Sequence, residues 1–181
     1  MTCIVAIVGE SGKVIMGADS AGVGGYSIQD RIDPKIYKVG KMLIGYTSSY
    51  RMGQLLGYSL NLPKHKKSMT TEQYMNTLFI NEVRNCFAVG GFMTLNAGQE
   101  KGGTFIVGYR GRIFSVEDDY QIGETRENYA SVGCGADIAL GSLHTTEDMD
   151  ILSLDRLSLS LKAAANFSAG VNPPFIYSSE K

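Results

Sequence analysis

The sequence predicts an α+β fold, a four-layer αββα sandwich in which two antiparallel sheets pack face to face with a helix pair on each outer side. Three observations lead there. The patterned segments run in the order strands, two helices, strands, two helices, strand. Helices grouped between sets of strands, rather than alternating singly with them, argue against a doubly wound parallel sheet. Cys3–Val8 is continuously apolar and rich in β-branched residues, as a strand covered on both faces must be. Finally, 181 residues suit one domain, residues 1–181, built on a continuous core.

Each element has its own signal. After the first strand, Glu10-Ser11-Gly12 supplies turn chemistry and residues 13–18 read as a second strand, so the chain opens with a hairpin that ends at Asp19. Residues 20–32 are glycine-rich and polar and read as a loop. Residues 34–39 and 42–47 form another hairpin turning at Gly40-Lys41. Ser48-Ser49 then cap a helix to about residue 61, with Tyr50, Leu55, Leu56 and Leu60 at helical spacing. Thr70, with Gln73 three residues on, has the form of a capping box. The helix it opens reaches Val89, turning Tyr74, Leu78, Val83 and Phe87 inward. Strands follow at 104–109, 112–116 and 130–132, with a short one near 120–122. A helix at 136–144 comes next. A second, at about 154–169, faces Leu157, Leu161, Ala164, Ala165 and Phe167 inward, and a last strand covers 175–178.

Composition excludes several classes of function. Hydrophobic residues make up 44% and charged residues 19%, a globular rather than a disordered balance. A net charge of -1 gives no electrostatic reason to expect nucleic acid or an anionic membrane as partner. The one basic cluster, Lys64 to Lys67, reads as a solvated loop. Cys3, Cys86 and Cys134 are an odd number without CxxC spacing, and His65 and His144 stand apart from any ligand pattern. No metal, cofactor or disulfide framework is therefore expected, and reduced thiols fit the cytoplasm. Neither a signal peptide nor an apolar run of membrane-crossing length is visible.

Gly9-Glu-Ser-Gly12-Lys13 imitates a phosphate-binding loop, but the spacing is too short and Val14 stands where a metal-binding hydroxyl is required. The informative feature is the N-terminus. Removal of Met1 ahead of the small residue Thr2 exposes an α-amine beside a hydroxyl. Such an amine, with a reference pKa of about 7.7–8.0, is a competent general base near neutral pH. A Thr hydroxyl needs such a base to become a nucleophile. Cys3, one step into the strand, points the opposite way and reads as a core cysteine.

Here the chain resembles the proteasome β-subunit family of N-terminal-nucleophile hydrolases, including the bacterial heat-shock peptidase that works with an ATPase unfoldase. The resemblance runs through Thr2-Cys-Ile-Val-Ala-Ile, Val14-Ile-Met-Gly-Ala-Asp19-Ser, Lys35-Ile-Tyr-Lys-Val and Met42-Leu-Ile-Gly45-Tyr-Thr-Ser48. It resumes at Val132-Gly-Cys-Gly135 and at the final strand. The first fifty residues carry it most specifically. It implies Thr2 as nucleophile, its freed amine as base, Lys35 as the cation that lowers that amine's pKa, and Asp19 as the carboxylate that orients Lys35.

The same resemblance implies an oxyanion hole at the junction of hairpin and helix, where Ser48 and Ser49 replace a glycine. Any residue but proline offers the needed N–H. Ser20, Ala21, Tyr46 and Ser49 are the expected pocket lining. Cys134 stands where the family has a supporting serine. The family's supporting acid near the last helix has no match, since Ser168 to Asn172 contains none. The implied activity is a threonine peptidase enclosed in a homo-oligomeric ring or other closed assembly, with an ATPase unfoldase as possible partner. Two other functions fit the same sequence: an inactive structural subunit, and an amidase acting on a small molecule.

Overall fold

The computed structural model describes all 181 residues, Met1–Lys181. Alternation along the central strands decides the layering. One sheet has the order β12-β1-β2-β13, formed by β1 (Cys3–Val8), β2 (Val14–Asp19), β12 (Tyr129–Gly133) and β13 (Phe175–Ser179). The other has the order β11-β10-β9-β6-β5, formed by β5 (Ile36–Val39), β6 (Met42–Tyr46), β9 (Phe105–Tyr109), β10 (Arg112–Val116) and β11 (Ile122–Glu124). Every pairing is antiparallel.

Successive side chains on a strand point to opposite faces. Ile4, Ala6, Val14, Met16 and Ala18 of the first sheet meet Leu43, Ile106 and Ile113 of the second in an inter-sheet core. The alternate residues Cys3, Val5 and Ile7 face away, onto Ala139 and Leu143 of α4 (Ala136–Thr145) and Leu157, Leu161 and Ala164 of α5 (Ser153–Phe167). On the far side Met42, Ile44, Tyr46, Phe105 and Val107 pack under the remaining helices. Three apolar layers thus separate four structural ones, and each buried Leu, Ile, Val or Phe contributes about 1.5–3 kcal/mol.

The helices over the second sheet are α1 (Tyr50–Tyr58), α2 (Thr71–Tyr74), a π-helical turn at Met75–Phe79 and α3 (Ile80–Val89). Ser49 caps α1, its side chain accepting from the Arg51 N–H. Thr70 and Gln73 form the expected capping box, worth about 1 kcal/mol for its serine-like hydroxyl. α2, the π turn and α3 run without a break, so the predicted single helix appears with one widened turn that shifts its inward face.

Three features depart from the sequence reading. Residues expected to be a loop after Asp19 form a two-stranded ribbon, β3 (Ala21–Gly24) with β4 (Ser27–Asp30). Its glycines hide the strand signal. A second ribbon, β7 (Thr94–Asn96) with β8 (Gln99–Lys101), lies between α3 and β9 and turns at Ala97 and Gly98, both at positive φ. Phe167, expected inward on α5, is 76% exposed, because the helix ends there and its last turn clears the sheet.

Candidate active site

The opening hairpin brings the chain's second residue beside its nineteenth. In the register of β1 with β2, Ile4 lies opposite Ala18, so Cys3 meets Asp19 at the open end. There the Cys3 N–H donates to Asp19 Oδ1 at 2.9 Å. Asp19 Oδ2 accepts from the Ala21 N–H at 3.1 Å and from Lys35 Nζ at 2.9 Å. Lys35 enters from the second sheet, just ahead of β5, and donates also to the Ala21 carbonyl at 2.7 Å.

Both charged side chains are sealed from solvent, Lys35 at 1% and Asp19 at 0% exposure. A buried pair of this kind persists only when both charges are hydrogen-bonded as well as opposed. Burial lowers the Lys35 pKa from its ordinary value, and Asp19 pulls it back up. The Cys3 thiol, on the opposite face of β1, is pushed up to about 12, chiefly by burial. A thiol so desolvated stays neutral and is no nucleophile.

Thr2 is 5% exposed and its hydroxyl donates to the Met1 carbonyl at 2.5 Å. Its own carbonyl accepts from the Cys134 thiol at 3.4 Å, and that sulfur receives the Ser168 hydroxyl at 3.6 Å. Cys134 and Ser168 therefore reach Thr2 through its backbone. Asn172 does not join them; its side chain donates to the Pro173 carbonyl.

Thr2 and Lys35 share a pocket of about 90 Å³ with Met1, Val23, Tyr46, Thr47, Ser48, Ser49 and Tyr50. Ser48 adopts φ 65, a left-handed conformation that glycine takes without strain and serine does not. It forms the centre of a tight turn in which the Ser49 N–H donates to the Thr47 carbonyl at 2.7 Å. Thr47 donates its N–H to the Thr104 carbonyl, whereas the Ser48 N–H has no partner within the protein. Of the two serines singled out by sequence, Ser48 thus holds the free donor and Ser49 does not. A free N–H beside a hydroxyl and an ammonium is an arrangement able to stabilise a developing oxyanion.

The pocket wall differs in part from the expected one. Tyr46 and Ser49 line it, but Ser20 and Ala21 lie outside it. The Ser20 hydroxyl donates to the Pro174 carbonyl at 2.7 Å, and Ala21 serves Asp19 and Lys35 through its backbone. Val23, Thr47 and Tyr50 take their place, and only the course of the β3–β4 ribbon puts Val23 there. Tyr50 donates to the Ala21 carbonyl at 3.4 Å, and the Arg31 guanidinium lies 3.9 Å from its ring centroid. Roomier cavities, of about 630 and 300 Å³, lie away from Thr2, against α3 with β7–β8 and around His65. No group of three His, Cys, Asp or Glu side chains is placed to hold a metal, and no helix is long and apolar enough to cross a membrane.

No protein-family model matches the chain, and no curated protein matches it in sequence. Solved structures do match. Thiobacillus denitrificans BPH in complex with epoxomicin superposes with a TM-score of 0.80 at 16% identity, over 99% of this chain and 98% of that one. HslV from Trypanosoma brucei gives 0.69 at 12% identity, over 99% of each chain. The Anbu Gly-1 mutant from Hyphomicrobium sp. strain MC1 gives 0.68 at 15%, over 98% of this chain and 80% of that one. At such identities the likeness is one of fold, and the fold of this chain is that of the proteasome-type N-terminal-nucleophile hydrolases.

Proposed function

We propose that this chain is a threonine peptidase whose nucleophile is Thr2, freed of Met1, and that it works in the cytoplasm within a closed homo-oligomer. The observation that supports the reading is the buried Asp19–Lys35 pair, whose lysine lines the pocket of Thr2. A sealed ion pair is a costly way to stabilise a fold, since apolar replacements of similar volume often do better. Beside an N-terminal hydroxyl it has a use. The ammonium favours the neutral form of the neighbouring amine and so keeps the base ready.

The chemistry follows in two halves. Thr2 Oγ1 attacks the peptide carbonyl while the Thr2 amine accepts its proton. The developing oxyanion meets the free Ser48 N–H, and collapse of the adduct breaks the C–N bond, the departing amine taking the proton held by the Thr2 ammonium. An ester between Thr2 and the acyl fragment remains. Water then attacks that ester with the same amine as base, releasing the acid and restoring the hydroxyl. Cys134, on the Thr2 carbonyl, positions the nucleophile's backbone. Enclosure in a ring and feeding by an ATPase unfoldase accord with the sequence resemblance.

The test uses protein whose intact mass shows Met1 removed. Peptide turnover and a covalent adduct with epoxomicin, the compound seen on BPH, are the expected results. Thr2→Ala should lower turnover at least about 10³-fold and leave assembly unchanged. The wild-type rate should rise with pH through an apparent pKa below about 7.7, as the amine loses its proton. Turnover that survives Thr2→Ala sinks the reading. Absence of both turnover and adduct in processed protein favours an inactive subunit.

A further inference from the structure

Strand β6 ends at Tyr46, beside the Thr2 pocket, and begins at Met42, at the other end of the second sheet. At the Met42 end lies a separate cavity of about 300 Å³ with a mainly apolar wall. Three segments enclose it: the β5–β6 turn at Gly40-Lys41, the β9–β10 turn at Arg110, and residues 62–65 of the connection between α1 and α2. The last of these carries the start of the basic cluster, whose lysines are exposed but whose histidine is anchored.

The His65 ring stacks on Tyr74 with centroids 4.5 Å apart. Its Nε2 faces the Met69 carbonyl at 3.0 Å, and since a carbonyl only accepts, Nε2 carries the proton. In the neutral ring Nδ1 then accepts from the Tyr109 hydroxyl at 2.9 Å. The Tyr74 hydroxyl donates to the Pro63 carbonyl at 2.8 Å. The covered lining residues Met42, Leu62, His65, Tyr74 and Tyr109 therefore keep no side-chain nitrogen or oxygen free for a ligand. What they offer is ring and alkyl surface.

The rim offers the reverse. Lys41, Lys64 and Arg110, one from each segment, line the cavity, are exposed, and join no ion pair. None of the lining residues is acidic. In a chain of net charge -1, three unpaired cations around one mouth make a local positive field. Arg110 is held at φ 56, a left-handed conformation that strains an arginine. Its guanidinium carbon lies 5.3 Å from the Tyr109 ring centroid, which sets the charge beside the apolar wall.

We propose that this cavity binds a small amphiphilic anion. A flat apolar body packs against His65, Tyr74 and Tyr109, and a carboxylate or phosphate head meets Lys41, Lys64 and Arg110. A volume of about 300 Å³ is at the small end for ligand sites and suits a single ring on a short arm. The proposal does not depend on the role of Thr2.

Titration calorimetry of the full chain with three probes tests it: 3-phenylpropionate, phenyl phosphate, and the neutral 3-phenylpropanamide. At least one of the two anions should bind with a Kd below about 1 mM, and the tighter of them identifies the head group. The amide, equal in shape to the carboxylate, should bind at least about tenfold more weakly than the preferred anion. Arg110→Asn and Lys64→Gln should each weaken that anion about threefold or more. Asparagine tolerates the left-handed turn, so the melting temperature of Arg110→Asn should be unchanged or higher; should that variant fail to fold, Lys64→Gln decides. Equal affinity for amide and anion, anion affinity unchanged in the folded variants, or no binding of either anion at about 10 mM overturns the proposal.

Discussion

Asp19 and Tyr46 are both buried around one small pocket, and the fold treats them in opposite ways. Asp19 carries a full charge and receives three donors, from Cys3, Ala21 and Lys35. Tyr46 carries a neutral hydroxyl and receives nothing. The harder group to bury is the fully satisfied one. A carboxylate left alone in the interior would be far more costly than an unpaired hydroxyl, so folding requires the first to be paired and tolerates the second. The difference separates a group that must be paired for the fold to form from one that the packed interior can leave unpaired.

Removing one member of the satisfied pair should have the largest effect. Lys35→Met leaves Asp19 buried with two amide donors and no counter-charge, and should cost about 3–5 kcal/mol. Denaturant unfolding of Lys35→Met and of the double variant Asp19→Asn/Lys35→Met checks this. The double variant should recover part of the loss, because the orphaned charge is gone. Equal or greater damage in the double variant would show that Lys35 matters through its packing alone.

A smaller effect sharpens the comparison on the other face of β1. The Cys3 thiol is buried and its pKa is raised to about 12 from 9.0. A folded-state value above the unfolded one means that the thiol's contribution is fully present below pH 9.0. It is lost as pH rises from there toward 12, by about 1.4 kcal/mol per pH unit. Stability measured at pH 8 and pH 10 should therefore fall more in the wild type than in Cys3→Ala, by about 1 kcal/mol. Equal falls would mean the thiol is open to water.

The smallest expected effect belongs to the unsatisfied group. In the free protein, Tyr46→Phe removes a hydroxyl that bonds nothing and should change stability by no more than about 1 kcal/mol, in the stabilising direction. A loss of 1 kcal/mol or more in thermal unfolding would show that the hydroxyl already has a partner, such as a bound water. The contrast with Asp19 would then disappear.

Much of the fold was legible because its signals are local. The order of strands and helices, the opening hairpin, the Thr70–Gln73 capping box and the Ser49 cap each depend on residues a few positions apart. The β3–β4 and β7–β8 ribbons were not legible. Their strands are three or four residues long, β3 carries two glycines, and pairing with one another rather than a buried apolar face sustains them. Within the site, residue type drew attention to Thr2, and a family resemblance added Asp19 and Lys35 and supplied the roles of all three. The lining by Val23, Thr47 and Tyr50 carried no such sign.

By itself the sequence determined the layered architecture, through strand alternation that gives each sheet two apolar faces and helices with one. It also determined that a threonine hydroxyl, a carboxylate and a lysine amine were available on the first two hairpins. Only the tertiary structure decided that these groups meet, since a salt bridge between Asp19 and Lys35 joins two different sheets across their packed faces. The same holds for which serine N–H is free, because a turn at Ser48 that commits its neighbour's donor is a backbone conformation rather than a residue type. It holds most of all for Tyr46. Whether a buried hydroxyl has a partner depends on every atom around it, and no pattern along the chain encodes that.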